Sequence, residues 1–188
     1  MPVVENKVDL YKYVFSPNLE PHPHTLAFIA LAQPIGALFP IGEMHSRWFA
    51  LCMSGKTRLP PQEKMLKNIA KKHKEIQKRY YEGPRNTLQV DWVNYMDELA
   101  ELVGCRPSVM SYLFKDPKLW WALSFGPCLP YQYRLEGPHK WSGARRAILD
   151  APKRMKAPLF TRELTDKNGK FISKKVSQTN TRDYKRID

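Results

Sequence analysis

The sequence of 188 residues contains only three cysteines, Cys52, Cys105 and Cys128. They are odd in number and far apart, and no CxxC pair or Cys/His spacing typical of a zinc site is present. The sequence therefore predicts neither a disulfide framework nor a metal site, and it favours a reducing compartment. His22 and His24 lie close together in EPHPHT, but no third ligand is near, so we expect no metal there.

Long apolar runs and glycine motifs are also missing. No run approaches the roughly 20 residues that a membrane-spanning helix needs, and the first residues, MPVVENKVDLYKYVF, lack the order of a signal peptide. We therefore expect a chain without a membrane anchor. None of the nine glycines is spaced as GxGxxG or as a P-loop, and neither GxSxG nor HExxH occurs. No catalytic residue is predicted within the chain.

Acidic residues are scarce relative to basic ones, with 18 Asp and Glu against 31 Lys and Arg, for a net charge of +13. Such a surplus attracts nucleic acid and anionic membrane surfaces. Many of the lysines fall in a helix predicted from LPPQE to about residue 81, in which Met65, Ile69 and Ile76 recur at helical spacing. Because no aromatic or glycine motif for base stacking is interleaved, we expect a solvated face and no specific nucleic-acid site.

The most informative stretch is TLAFIALAQPIGALFPIGEMHSRWFALC, residues 25–52. Residues 26–31 are uncharged and form a run short enough for a fully buried strand. Pro34 suits the first position of a helix predicted for about residues 35–52. Ligands in open α/β sheets bind where a strand ends and the next helix begins. The stretch thus indicates a candidate site at Gln33, Pro34 and Gly36; the alternative is an ordinary turn without a ligand.

The rest of the chain is predicted to be mostly helical. Asp91 is a suitable N-cap for a helix over residues 92–103, and Gly104 would end it. Asp116 and Pro117 favour the start of another helix. That helix is expected over 118–125. We also expect short helices at 109–114 and 143–149, strands at 8–15 and 130–135, and flexibility over 167–188.

Three long motifs carry a family resemblance: LAQPIGALFPIGEMHSRWFA, YMDELAELVGCRPSVMSYLFKDPKLWWALSFGPC and YQYRLEGPHKWSGARRAIL. Together with VDLYKYVFSPNLE, they resemble, in the same order, the carboxyl-terminal third of the animal flavin-containing monooxygenases. The resemblance covers roughly residues 7–162. It implies a mostly helical α/β fragment. Its parts would be the last strand and helix of an FAD-binding Rossmann-type domain in residues 1–52, a helical carboxyl-terminal region in 53–162 and a flexible basic tail in 163–188.

The resemblance also implies a function. In this family NADPH reduces a tightly held FAD, and the reduced flavin forms a hydroperoxide with oxygen that oxygenates nucleophilic nitrogen or sulfur in small amines and sulfides. By the same resemblance Gln33, Pro34 and Gly36 would bind the cofactor. Gln33 would hydrogen-bond the flavin, and the amides beginning near Ile35 and Gly36 would favour the negative charge of the reduced ring.

Several features depart from the family pattern. Both family GxGxxG fingerprints and the ATGY motif precede the matched region, so we expect the chain alone to be inactive or to need the missing part. Ala30 stands where the family usually has glycine. Family members reside at the endoplasmic reticulum membrane, and many end in a hydrophobic anchor; the basic, polar tail here predicts a cytoplasmic chain instead. The alternative function is a basic module that binds nucleic acid or anionic lipid through residues 64–79 and the tail.

Overall fold

The computed structural model describes residues 8–19, 21–79, 87–161, 164–165 and 171–172. This part of the chain is mostly helical, as predicted. Its α-helices are α1 (Leu38–Met53), α2 (Gln62–Arg79), α3 (Trp92–Val103), α4 (Tyr112–Lys115), α5 (Pro117–Phe125), α6 (Ala144–Leu149) and α7 (Ala151–Thr161). Its strands have two residues each: β1 (Gln33–Pro34), β2 (Gln89–Val90), β3 (Leu164–Thr165) and β4 (Phe171–Ile172). Short 3-10 helices occupy Pro23–Thr25, Val109–Ser111 and Pro130–Arg134.

The predicted caps of two helices are confirmed. The Asp91 carboxylate accepts a hydrogen bond from the Asn94 amide at 3.3 Å, and Gly104 ends α3 in the left-handed conformation with φ 76°. Asp116 caps α5 in the same way, accepting from the Leu119 amide at 3.2 Å. Carboxylates satisfy amides that a first helical turn leaves without partners, so these boundaries are set locally.

The strand predicted for residues 26–31 is wrong. Its described pairing is one isolated bridge between Phe15 and Ala27, and the side chains of Leu26 and Ile29 are 49% and 43% exposed. A fully buried strand needs neighbours on both sides, which the described residues do not supply. Ala30 has a positive φ of 59°, which also interrupts the extended backbone.

Two further strand predictions are wrong. Residues 8–15 fold into a tight turn, in which the Tyr11 amide donates to the Phe15 carbonyl at 2.7 Å and both Lys12 and Tyr13 have positive φ. Their alternating apolar side chains are buried by this turn and not by a sheet. The segment predicted as a strand at 130–135 is instead the 3-10 helix Pro130–Arg134, which begins with the fixed φ of a proline and has no paired strand.

Helix α1 begins later than predicted, at Leu38 instead of about residue 35. Pro34 does not open the helix, because it lies in β1, which pairs in parallel with β2 in the register Gln33 to Gln89. The Gln33 amide donates to the Leu88 carbonyl at 2.8 Å. The proline inside the helix is Pro40, which is tolerated because a first-turn amide has no intrahelical partner.

The core lies mainly between α1 and α3, with the turn at residues 11–15 packed beside them. The Phe15 ring meets the Trp48 ring edge-on, with centroids 4.8 Å apart. The largest fully buried core side chains include Phe15, Ile41, Met44, Trp48, Met65, Tyr95, Met96, Leu99 and Tyr133. Fully burying such side chains contributes about 1.5–3 kcal/mol each, so this cluster fixes α1 relative to α3.

The 3-10 helix Pro130–Arg134 and the loop after it are held against α1 by a buried cation. Arg47 is 7% exposed and donates to the carbonyls of Tyr133 at 3.1 Å and Pro138 at 2.8 Å. Arg134 also contacts α1, because its side chain forms an ion pair with Glu43 at 2.8 Å.

Within the described ranges no helix has the length and apolarity needed to cross a bilayer. Of the predicted tail, 163–188, only β3 and β4 are described, paired antiparallel, and the remainder lies outside the described residues.

Candidate functional site

The candidate residues Gln33, Pro34 and Gly36 lie together at the turn that joins β1 to α1. We name residues 33–39 the corner. Gln33 and Gly36 are exposed to solvent, and Pro34 is partly buried. The predicted position at the start of a helix is therefore correct in outline, although the first helical amide belongs to Leu38 and not to residues 35–36. The role of these residues in binding stays a prediction.

The corner is held in place by Trp92, the first residue of α3. Its indole nitrogen donates to the Ala37 carbonyl at 2.7 Å. Gly36 has a φ of +146°, and a Cβ at this position would lie 3.2 Å from Cδ1 of Trp92. A side chain here would meet both an unfavourable backbone conformation and the indole ring. The sequence gives no local signal for this contact, because the bond joins residues that are 55 positions apart.

The amino terminus of α1 is open. Ala37 is its N-cap and makes no side-chain capping bond, and the first turn holds no acidic residue. The amides of Leu38 and Phe39 therefore have no intrahelical acceptor and no capping carboxylate. The dipole of this 16-residue helix adds partial positive charge at the same end. The arrangement can accept an anion or an electron-rich edge of a ligand.

Apolar side chains surround the open helix end. Phe39 is 92% exposed and Ile35 is 74% exposed, and Leu26, Ile29 and Leu38 are also exposed. No Asp, Glu, Lys or Arg occurs between Thr25 and Gly42. A group of exposed apolar side chains without charges is typical of a surface that contacts a ligand or another protein part. The corner thus combines a few polar groups with an apolar surround.

A buried histidine braces the segment that leads into the corner. The side chain of His45 is fully buried, and its Nδ1 accepts from the Ala30 amide at 3.2 Å. Since Nδ1 is an acceptor, the ring proton is on Nε2, which lies 2.8 Å from the Tyr95 hydroxyl. That hydroxyl donates in turn to the Lys12 carbonyl at 2.6 Å. Burial lowers the pKa of His45 to about 4, so the ring is neutral near pH 7.

Charged groups elsewhere form pairs and not a catalytic cluster. In the groove between α2 and α3, Arg79 pairs with Asp91 at 3.1 Å, and Arg106 pairs with Asp97 at 3.0 Å. On α1, Glu43 lies 3.6 Å from Arg47, four residues further along the helix. Over the described ranges no group of three or more His, Cys, Asp and Glu residues is arranged to hold a metal ion.

The comparisons with known proteins cover most of this chain. The profile of the family described as FMO-like, flavin-binding monooxygenase-like, matches residues 1–180. Flavin-containing monooxygenase 5 of Cavia porcellus is 50% identical over 171 residues, which are 91% of this chain and 32% of that protein. The human flavin-containing monooxygenase 5 is 51% identical over 85% of this chain and 30% of its own length. Human flavin-containing monooxygenase 2 is 43% identical over 91% of this chain and 32% of its own length.

A solved structure, that of S-allyl-L-cysteine S-oxygenase from Allium sativum, is 26% identical over 85% of this chain and 34% of that one, with a TM-score of 0.49. The chain spans about a third of the length of the curated relatives it matches. The family profile covers almost the whole chain, including both the corner and the helical region that follows it. The chain therefore belongs to the flavin-binding monooxygenase-like family.

Proposed function

We propose that this chain is the carboxyl-terminal portion of an FAD- and NADPH-dependent monooxygenase that oxygenates nucleophilic nitrogen or sulfur in small amines and sulfides. Family membership supports the flavin, and the open, apolar corner supports a place for this chain beside it. Because the chain spans about a third of its relatives, the activity, the nicotinamide cofactor and the substrates of the whole protein belong to the proposal.

The residues of the corner suit the ring system of a flavin. The exposed amide of Gln33 is free to hydrogen-bond a ring edge, and the amides at the start of α1 favour an electron-rich pyrimidine edge. Because Gly36 carries no Cβ, a bound ring could approach its backbone closely. When bound, the flavin would supply the oxygen-activating chemistry. The apolar side chains of Ile35 and Phe39 would exclude water from the ring.

Each part of the chain has a proposed structural role, which follows the domains expected from the sequence. Residues 1–52 would complete an FAD-binding Rossmann-type domain, residues 53–162 would form the helical carboxyl-terminal region, and 163–188 would be a basic tail. Both pyrophosphate groups would be held by GxGxxG motifs that this sequence does not contain. The chain alone is therefore inactive in this proposal and needs the upstream part. The endoplasmic reticulum membrane is the proposed location of that whole enzyme.

The alternative function is a basic interaction module, and the ion pairs on α2 weaken the case for it. Lys67 pairs with Glu63 at 2.7 Å, and Lys71 and Lys72 lie within 4 Å of Glu75, so part of the positive charge is neutralised on the helix itself. We do not propose a nucleic-acid site on α2.

A hybrid enzyme tests the proposed function. The matching third of the Cavia porcellus enzyme is replaced by this chain, and the purified hybrid is compared with the isolated chain. We expect the hybrid to retain bound FAD and to oxidise NADPH, and the isolated chain to be colourless. A folded hybrid without flavin would contradict the proposed role of the corner. An isolated chain that purifies with stoichiometric flavin would contradict its dependence on the upstream part.

A further inference from the structure

Trp92 meets the corner through two parts of its indole ring. The indole nitrogen donates to the Ala37 carbonyl at 2.7 Å. A Cβ at Gly36 would lie 3.2 Å from Cδ1 and 3.4 Å from Cγ of the same ring, so the ring comes this close only beside a glycine. The five-membered part of the indole therefore lies against both residues that precede α1.

The backbone that carries the indole is itself fixed. Trp92 is the first residue of α3, and its neighbour Asp91 caps the helix by accepting from the Asn94 amide at 3.3 Å. The Asp91 carboxylate also pairs with Arg79 at the end of α2, at 3.1 Å. A side chain on a capped helix holds its partner more precisely than one on a loop. The indole is thus suited to set the position of the peptide that it binds.

The same stretch of chain holds the segment before α1 at two further points. The Leu88 carbonyl accepts from the Gln33 amide at 2.8 Å. One turn after the indole, the Tyr95 hydroxyl binds Nε2 of His45 at 2.8 Å, and Nδ1 of His45 accepts from the Ala30 amide at 3.2 Å. The segment is therefore held at its beginning, its middle and its end, and the indole holds the end from which α1 starts.

The indole bond fixes the direction of one particular amide. The Ala37 carbonyl and the Leu38 N–H belong to the same planar peptide unit, and in a trans peptide they point in opposite directions. Holding the carbonyl toward Trp92 therefore directs the Leu38 N–H away from α3. Pro40 has no N–H, so the donors that the first helical turn offers are the amides of Leu38 and Phe39.

We infer that Trp92 is a positioning residue for the flavin, because its indole N–H holds the Ala37 carbonyl so that the Leu38 N–H points at the electron-rich edge of the bound ring. This inference rests on the proposed function and names a side chain that acts on the ring through the backbone. A donor stabilises negative charge best when it is aimed in advance. The bond should therefore favour the reduced flavin, which is more negative than the oxidised form.

The test is the midpoint potential of FAD in the hybrid enzyme, measured by reductive titration beside a reference dye. Trp92→Phe keeps an aromatic ring against Gly36 but has no N–H. Misaiming one donor should lower the ratio of reduced to oxidised FAD about tenfold, which is about 30 mV for a two-electron couple. The matched control is Trp121→Phe on α5, an exposed position, and it should keep the potential of the parent hybrid.

A rescue variant separates the N–H from the rest of the side chain. Trp92→His places Nε2 of a five-membered ring where the indole nitrogen lies, so a ring N–H can again donate to the Ala37 carbonyl. At about pH 8 this imidazole is neutral. We expect Trp92→His to restore most of the potential that Trp92→Phe loses, although both rings are smaller than indole.

A stability control and a direct structural readout complete the test. Leu99→Val on α3 lowers the stability of the core without changing a group that contacts the corner, and it should leave the potential unchanged. In proton–nitrogen spectra of the chain without flavin, the Leu38 amide should shift in Trp92→Phe and stay in place in Trp121→Phe.

The outcomes distinguish this inference from the proposed function. A parent hybrid without flavin would contradict the proposed function, and the role of Trp92 would be lost with it. A flavin-containing Trp92→Phe hybrid with the parent potential would overturn the role of Trp92 alone. An equal shift of the potential in Leu99→Val, no recovery in Trp92→His, or an unmoved Leu38 amide in Trp92→Phe would each overturn it as well.

Discussion

Lowering the pH from about 7.5 to about 5 is expected to cost the folded chain about 2 kcal/mol through His45. The ring is fully buried, and each of its nitrogens has a partner that suits the neutral form. Protonation would place a second N–H opposite the Ala30 amide, so two donors would face each other. It would also leave a charge in the core without an acidic partner.

The direction in which stability changes with pH follows from the direction of the pKa shift of His45. Burial lowers the pKa of His45 from 6.5 to about 4, so between these values the unfolded chain binds more protons than the folded chain. Stability is therefore fully present above about pH 6.5 and is lost progressively as the pH falls toward about 4. The whole shift corresponds to about 3 kcal/mol at 1.36 kcal/mol per pKa unit.

The assay is urea unfolding followed by circular dichroism at several pH values across this window. His45→Gln keeps one donor and one acceptor but cannot be protonated, so its unfolding free energy should fall by about 2 kcal/mol less than that of wild type between pH 7.5 and pH 5. His73→Gln, on the partly exposed side of α2, is the matched control and should keep the wild-type slope. Equal slopes for wild type and His45→Gln would refute the reasoning.

Three further stability predictions concern the corner, a cap and the core, each measured by urea denaturation. Gly36→Ala should destabilise by about 1–3 kcal/mol and by more than Gly55→Ala, because both glycines have positive φ but only the first would meet the ring of Trp92. Equal losses of stability at the two positions would show that the Trp92 ring moves aside at no cost. Asp91→Ala should cost about 1 kcal/mol and Asp91→Asn much less, since asparagine still caps α3. Leu99→Ala should cost about 2–5 kcal/mol, because the side chain is fully buried; a smaller loss would indicate that the core collapses around the cavity.

Helix boundaries were predictable where nearby residues set them. Asp91 and Gly104 bracket α3, and Asp116 begins α5, because capping bonds join residues three or four apart. The amphipathic pattern of α2 likewise predicted its start at Gln62 closely. In each case the signal and the structure lie within one or two helical turns.

The strand predictions failed because a strand is defined by its partners. Residues 26–31 have the composition of a buried strand, but within the described ranges they have a single bridge, at Ala27. The apolar alternation at 8–15 predicted a strand, yet it reflects burial of a turn in which Lys12 and Tyr13 adopt positive φ. The apolar pattern of a segment predicts that its side chains are buried, but it does not indicate which kind of element buries them.

The candidate site was partly predictable for the same reason. The QPIG turn located the corner, because proline fixes its own φ and glycine permits the positive φ found at Gly36. The hydrogen bonds that hold it were not predictable, since Trp92 donates to the Ala37 carbonyl and His45 accepts from the Ala30 amide across the fold. These long-range bonds hold the corner and the segment before it, and no spacing rule in the sequence indicates them.

The most direct test of the proposed flavin contact is the dissociation constant of FAD for the hybrid enzyme with and without Gln33→Ala. Loss of one hydrogen bond to the ring should weaken FAD binding roughly two- to tenfold. Gln77→Ala, an exposed position on α2, is the matched control and should bind FAD like the parent hybrid. An unchanged dissociation constant in Gln33→Ala would contradict the contact.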